Sequence, residues 1–361
     1  MQSADYFINN GDQTVDDGYW EPHTSSIDFC ETNYLHSSYI AEPHNLFSSL
    51  WGLSLLGLIG IYYGNPTGEI RFKIAYGILI LIGIGSAALH GTLNWVFQSA
   101  DELPMIYLLI SALYCLIELG DDDDVTVPIP LPSQQKYNNN NSNNSNNNNK
   151  VLKYPWLPHI FVVLGIINTL IYFRFQQIYI VFLLTFIVMI MAAFILHVQI
   201  AWRQRQIIIL SLSTTFPNTD KDDETTTSNN SNNNRNNRDN NNNNMTVNII
   251  LRNNAQIALR FYVWHYVVFV GIATPVWILD QFWCKNLLPI YNSLPYFLRG
   301  CTLHVIWHVM AGLGGYTILQ FLVTCRMSVL GLPCKIQWIL GIIPVVVSAV
   351  SSRYKENTKQ L

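Results

Sequence analysis

Residues 303–324 read LHVIWHVMAGLGGYTILQFLVT, a stretch without Asp, Glu, Lys or Arg. A helix needs about 20 mostly apolar residues to cross the roughly 30 Å hydrocarbon core of a bilayer. The stretch therefore predicts a membrane-spanning helix. The whole 361-residue chain agrees, because 50% of its residues are hydrophobic and only 12% are charged, too few charges for an ordinary soluble domain.

Other apolar runs of similar length precede this stretch and bring the number of predicted spans to seven. We predict an all-α integral membrane protein, a seven-transmembrane helix bundle within residues 43–324. A further apolar stretch between Lys335 and Arg353 is marginal in length and contains Pro344, so we interpret it as an interfacial or re-entrant part of a tail at 325–361. The predicted spans are Leu46–Tyr63, Ile74–Leu89, Leu103–Leu119, Trp156–Phe173, Ile178–Trp202, Ile257–Leu279 and Leu303–Thr324.

The placement of Lys and Arg predicts the orientation, because basic loops resist translocation and stay cytosolic. Residues 1–70 contain neither Lys nor Arg. With the N-terminus outside, all of the 20 Lys and Arg residues except Arg174, Lys285 and Arg299 are assigned to the cytosolic side. We therefore predict a lumenal N-terminal segment at 1–42 and a cytosolic C-terminus.

Two Asn-rich segments interrupt the predicted bundle. An Asp run at Asp121–Asp124 and an Asn tract fill 120–151, and Asn, Thr and Ser dominate 211–248. Neither segment can bury enough apolar surface to offset the entropy lost on ordering. We predict disordered cytosolic insertions at 120–153 and 203–256.

Five polar residues converge at one end of the predicted bundle. Because the spans alternate in direction, Ser86 and His90 end the second span on the side where Asp101 begins the third. His304 and His308 begin the seventh span on that side too, four residues apart and hence on one helix face. Three neutral imidazoles and a carboxylate suit a catalytic zinc site, which keeps one position open.

Packing is the alternative interpretation of any single histidine in an apolar helix. Two histidines four residues apart also occur by chance. His197 and His265 lie toward the opposite ends of their spans, and we interpret them as packing or interfacial residues. The convergence of three spans favours a metal-binding role for His90, His304 and His308.

A second polar group lies just before the first span. Asp28, Glu31, Asn33 and Glu42 occur within fifteen residues, beside the carbonyl of Phe29 and without a nearby Lys or Arg. Hard oxygen ligands of mixed type suit calcium. A solvated acidic tail is the alternative, although Glu42 sits at the membrane boundary, where an unpaired carboxylate is costly.

Cysteine placement adds one constraint. Only Cys30 and Cys284 lie clearly in predicted lumenal segments, and an oxidising lumen permits a bridge between them. The other cysteines are expected to be free thiols, namely Cys115, Cys301, Cys325 and Cys334.

Three strings carry a family resemblance. They are GYWEPHTSSIDFCETNYLHSSYIAE at 18–42, GIGSAALHGTLNWVFQSADELPMIY at 83–107 and LHVIWHVMAGLGGY at 303–316. In this order they resemble the alkaline ceramidase family. The resemblance implies a seven-helix amidohydrolase of the endoplasmic reticulum or Golgi membrane that cleaves the ceramide amide to a sphingoid base and a fatty acid.

The resemblance also implies roles for individual residues. His90, His304 and His308 would be the zinc ligands, Asp101 would hold and deprotonate the attacking water, and Ser86 would contact the substrate carbonyl or its oxyanion. The remaining implied residues are the calcium site, Asp28, Phe29 through its carbonyl, Glu31, Asn33 and Glu42, and a disulfide between Cys30 and Cys284.

Two other functions compete with this interpretation. A seven-helix receptor related to the adiponectin receptors would also use a three-histidine zinc site, with sensing as its main role. A transporter could use intramembrane His and Asp as a proton relay, but the polar groups gather at one end and form no chain across the bilayer. The expected partners are a ceramide-type lipid and membrane lipids, and neither a nucleic acid nor a protein partner is indicated.

Overall fold

Seven long apolar helices dominate the computed structural model, which describes residues 18–120, 154–215 and 231–349. Each contains a stretch long and apolar enough to cross a membrane, and each overlaps one predicted span, so the seven-helix prediction is confirmed for a multi-pass membrane protein. The orientation stays a prediction. The helices are α1 Pro43–Tyr62, α2 Ile70–Thr92, α3 Trp95–Gly120, α4 Leu157–Phe175, α5 Tyr179–Thr215, α6 from Ser231–His265 through Tyr266–Ala273 to Thr274–Ser293, and α7 Leu303–Val329.

Helix α7 packs closely against α1. A Cβ atom at Gly52 would lie 2.8 Å from the carbonyl oxygen of His308, and one at Gly312 would collide with the carbonyl of Gly52. Gly52 belongs to a π-helical segment of α1, Leu50–Ser54, and π-bulges occur frequently at functional sites. The two glycines therefore let the α1 backbone approach α7 at the level of His308.

Residues 18–42 pack against the end of the bundle that carries His90, called here the histidine end. The amide of Thr24 donates to the carbonyl of Leu93 in the α2–α3 loop, at 3.1 Å. The amides of Ala41 and Glu42 donate to the carbonyls of Gly91 and His90, at 3.1 and 2.9 Å. This segment is therefore a folded cover and not a free tail.

The predicted disorder at 203–256 is wrong over much of its length. Helix α5 continues through Thr215, and α6 begins at Ser231. The side chains of Gln204 and Asn254 are buried, so packing against neighbouring helices supplies burial that composition cannot reveal. Residues 216–230 and 121–153 of the predicted insertions lie outside the described residues.

A small part of the described chain forms strands that the prediction of an all-α bundle did not include. Strands β1 (Cys334–Ile339) and β2 (Ile343–Ser348) form an antiparallel hairpin in the apolar stretch predicted to be interfacial or re-entrant. The turn residues Leu340 and Gly341 both have positive φ, 53° and 74°, as a type I′ turn requires. The run Val345–Val347 favours strand because β-branched side chains fit a pleated surface.

Candidate metal centre and active site

Three buried histidines meet at the histidine end. His90 comes from the last turn of α2, and His304 and His308 come from the first two turns of α7. One ring nitrogen of each lies within 4.8 Å of the others, and the ring centroids are 4.5 to 5.2 Å apart. The structure therefore brings together the three histidines that the sequence places at one end of the predicted bundle.

A carboxylate sets the orientation of His90. Its Nδ1 lies 2.5 Å from Oε2 of Glu42, and both side chains are buried. A carboxylate accepts, so the proton of the neutral ring belongs on Nδ1. Nε2 of His90 is buried without a hydrogen-bond partner and keeps its lone pair for a cation.

Two serines of α1 orient the groups around His308. Ser48 donates its hydroxyl hydrogen to the carbonyl of Asn45 at 3.0 Å, so it accepts from Nδ1 of His308 at 2.7 Å. Ser49 likewise donates to Asn45 at 2.8 Å and therefore accepts from the Ser86 hydroxyl at 2.9 Å. Nε2 of His308 is left facing Oγ of Ser86 at 3.3 Å.

His304 faces a carboxylate that sequence reasoning missed. Oδ2 of Asp280, on α6, lies 3.5 Å from Nδ1 of His304, and neither carboxylate oxygen has a hydrogen-bond partner. Asp280 follows the predicted end of the sixth span directly, so an acidic group at a membrane boundary was the available signal. The ring of Phe29 packs on His90 and His304, at centroid distances of 4.5 and 4.3 Å.

A close helix contact brings the backbone of Asp101 against the turn of α2 that contains Gly85. A Cβ at Gly85 would collide with the carbonyl of Ala100 and would lie 2.8 Å from the amide nitrogen of Asp101. The α3 backbone therefore passes directly against the turn of α2 that carries Ser86. Within the described chain, the group of mutually close ligand atoms comprises the three histidines and not Asp101.

The acidic residues before α1 form a folded cluster. Glu31 and Glu42 are buried, which excludes a solvated tail for these two residues. Oε1 of Glu42 and Oδ1 of Asn33 are buried oxygens without a hydrogen-bond partner. Burial raises the pKa of Asp28 above its ordinary value.

Glu31 has an additional partner that the sequence did not suggest. Its carboxylate accepts from the amides of His44 and Asn45, at 2.9 and 2.8 Å, and Nδ1 of His44 lies 3.0 Å away. A carboxylate offers about four lone-pair positions, so Glu31 retains room for one further ligand. His44 also contacts the carbonyl of Phe297, which joins the acidic cluster to the segment before α7.

Comparison with known proteins identifies the family. A sequence model described as Ceramidase matches residues 21–347. The chain belongs to the ceramidase family. This match favours the ceramidase resemblance over the adiponectin-receptor and transporter alternatives.

Individual relatives agree over shorter stretches. Putative alkaline ceramidase dcd3A of Dictyostelium discoideum is 41% identical over 135 residues, 33% of this chain and 44% of the relative. Alkaline ceramidase 3 of Mus musculus is 39% identical over 106 residues, 28% of this chain and 38% of the relative. The chain thus spans less than half the length of these two relatives. Putative alkaline ceramidase dcd3B of Dictyostelium discoideum matches 91% of this chain and 95% of its own length at 22% identity.

A disulfide joins the N-terminal segment of this protein to α6. Cys30 and Cys284 are bonded, with their Cα atoms 5.5 Å apart, as the resemblance implies. Cys284 lies four residues after Asp280, about one helical turn. The bond therefore connects the segment carrying the acidic cluster to the helix carrying Asp280. The other cysteines are free, with Cys301 exposed and Cys115, Cys325 and Cys334 buried.

His197 and His265 lie outside the group of His90, His304 and His308. Nδ1 of His265 contacts the carbonyl of Gly314 at 2.9 Å, and the His197 ring packs 4.4 Å from the Phe321 ring. These contacts support the packing interpretation of both histidines.

Proposed function

We propose that this ceramidase-family protein is a zinc-dependent alkaline ceramidase of the endoplasmic reticulum or Golgi membrane. It hydrolyses the amide of ceramide and releases a sphingoid base and a fatty acid. The observation that carries the proposal is the meeting of His90, His304 and His308 in a buried group. The family match and the printed names of the relatives supply the substrate class.

The three histidines fit zinc by donor chemistry and by hydrogen bonding. A buried ring nitrogen without a partner is costly, and a cation on Nε2 of His90 removes that cost. Glu42 and Ser48 hold the proton on Nδ1 of their histidines, which is the outer-shell arrangement that orients metal-binding imidazoles. Three neutral histidines with an open position suit catalytic zinc. Zinc, when bound, would supply a Lewis acid that polarises a carbonyl and lowers the pKa of a bound water to about 7.

Asp101 and Ser86 perform the proton transfer and the charge stabilisation. Asp101 takes a proton from the attacking water and delivers it to the amine as the carbon–nitrogen bond breaks. The Ser86 hydroxyl lies beside Nε2 of His308, so a carbonyl that reaches the histidines also reaches this hydroxyl. Turning from Ser49 to the substrate, Ser86 donates to the developing oxyanion.

The site's depth suits a lipid substrate. His304 and His308 lie in the first two turns of a 27-residue helix, so the site sits near one face of the bilayer. The polar part of a ceramide reaches that depth while its chains stay in apolar surroundings. We propose that this face is lumenal.

The acidic cluster is proposed to hold calcium in a structural role. Its ligands would be Asp28, the carbonyl of Phe29, Glu31, Asn33 and Glu42. The free oxygens of Asn33 and Glu42 and the remaining lone pair of Glu31 suit a hard cation. Glu42 would contribute Oε1 to the cation while Oε2 holds His90.

The test is ceramide hydrolysis by purified protein, measured as released fatty acid. His308→Ala is expected to reduce release to background, because it removes one metal ligand. His159→Ala is the matched control, since His159 is an exposed histidine of α4 outside the group, and it should behave as the parent. Equal release by His308→Ala and the parent would reject the proposed function.

A further inference from the structure

The C-terminal hairpin lies beside the middle of the membrane-spanning helix α7. The hairpin tip is defined here as Trp338, Leu340 and Ile342. We propose that the hairpin is a re-entrant element, which enters the bilayer from the end opposite the histidines, and that its tip contacts lipid acyl chains. The proposal does not depend on the proposed catalytic activity.

Contacts with α7 fix the depth of the hairpin. The Tyr316 hydroxyl donates to the carbonyl of Pro344 at 3.0 Å, and the amide of Val346 donates to Oε1 of Gln320 at 2.7 Å. Tyr316 is the middle residue of the 27-residue α7, about 20 Å from either end at 1.5 Å per residue. Because Trp338 pairs with Pro344, the tip lies close to the level of the bilayer centre.

Four backbone groups of the hairpin find partners on side chains of the helices. An open strand edge cannot face hydrocarbon, so its polar groups need partners from the protein. Tyr316 and Gln320 supply them along β2. On β1, the carbonyl of Cys334 accepts from Nδ2 of Asn253 at 2.9 Å, and its amide donates to Oδ1 of Asn254 at 3.1 Å.

This pairing also explains why polar side chains without a proposed catalytic role are buried in the helices. Tyr316, Gln320 and Asn254 are buried in membrane-spanning helices. Such groups carry a cost unless they find a partner. Their positions opposite the hairpin edges indicate that the helices are built to receive this element.

The exposed side of the tip continues the outer surface of the bundle. Trp338, Leu340 and Ile342 are 51%, 84% and 72% exposed, whereas Val345 and Val346 are buried against the core. The Trp338 ring lies 5.8 Å from that of Trp264 on α6, beside the exposed side chain of Val263. An apolar patch continuous with a lipid-facing helix surface has hydrocarbon as its matching partner.

A spin-label experiment on full-length protein in phospholipid vesicles tests the proposal. Leu340→Cys is labelled in a Cys301→Ser background, because Cys301 is the exposed free thiol of the described chain. Collisions with oxygen, which concentrates in hydrocarbon, are compared with collisions with a water-soluble nickel chelate. Ile166→Cys, the exposed middle residue of α4, is the lipid reference, and Tyr39→Cys in the N-terminal segment is the water reference.

The expected result is a Leu340 label that matches the Ile166 reference, with frequent oxygen and rare nickel collisions. A Lys335→Cys label, at the base of the hairpin, should be accessible to nickel, which gives a depth gradient along β1. Ile342→Cys repeats the measurement in case one labelled variant folds poorly. A tip label resembling Tyr39 would overturn the proposal. Spin–spin broadening that disappears on dilution with unlabelled protein would also overturn it, because it would place a second copy on the tip.

Discussion

Replacing Glu42 by Gln should weaken zinc binding without removing any of the three proposed zinc ligands. The carboxylate lies 2.5 Å from Nδ1 of His90, and both groups are buried. Glutamine keeps the size and one acceptor oxygen but loses the charge, and hydrogen bonds to charged acceptors are roughly twice as strong as neutral ones. The mutation therefore isolates the electrostatic part of the contact.

The size of the effect follows from the geometry. Loss of an outer-shell partner of a metal-binding histidine typically costs about 10-fold to 100-fold in metal affinity, or about 1.4 to 2.8 kcal/mol. The short, buried contact of Glu42 places its effect near the upper limit. Asp280→Asn should lie near the lower limit, because Asp280 is 3.5 Å from Nδ1 of His304, beyond a good hydrogen-bond distance.

The assay measures zinc retained by purified protein after equilibration with a graded series of chelator buffers. Excess calcium is present throughout, because Glu42 also belongs to the proposed calcium cluster. Asn33→Ala is the matched control, since it alters that cluster without a contact to a histidine, and while the excess calcium keeps the cluster occupied it should retain zinc as the parent does. Zinc retention by Glu42→Gln equal to the parent's would show that this carboxylate does not orient His90.

Three further predictions concern catalysis, stability and pH. Ser86→Ala should lower kcat about 100-fold to 1,000-fold in a fatty-acid release assay while zinc retention stays unchanged, because it removes an oxyanion donor and no ligand; an unchanged kcat would assign Ser86 to packing. Cys30→Ser should destabilise the protein by about 2 to 4 kcal/mol in thermal unfolding, whereas Cys301→Ser should have no effect, since only the first breaks a disulfide; equal unfolding of the two variants would contradict the bridge. Burial raises the pKa of Asp28, so without calcium the contribution of Asp28 to stability is present below its unfolded pKa and is lost as pH rises through its folded pKa. Calcium should therefore stabilise the parent more at pH 8 than at pH 5. Asp28→Asn should reduce that difference between the two pH values.

The sequence predicts the bundle because the length of an apolar run can be read directly from the order of its residues. Each of the seven runs became a helix, and sorting residues by the end of their span grouped His90 with His304 and His308. That sorting works because spans alternate in direction, so depth follows from position alone. Helix ends were harder to predict, since α5 and α6 extend into polar segments that gain burial only from their neighbours.

The contacts through which residues orient the three histidines could not be found from the sequence. The contact of Glu42 with His90 depends on how the chain turns before α1, and Asp280 reaches His304 only because α6 packs against α7. Ser48 carries no motif, and its contact with His308 depends on the close approach at Gly52. The hairpin was missed because its strands are stabilised by side chains of α6 and α7, which no local pattern records.

The N-terminal segment contacts the histidine group and holds it in place. The backbone of Glu42 donates to the carbonyl of His90, and its carboxylate meets the same residue's ring. The ring of Phe29 packs on two of the three histidines, while the neighbouring Cys30 is bonded to the helix of Asp280. A cation bound in the proposed acidic cluster would therefore fix the backbone that orients His90, and its removal would free that backbone. Calcium loss should accordingly appear as weaker zinc retention before it appears as global unfolding.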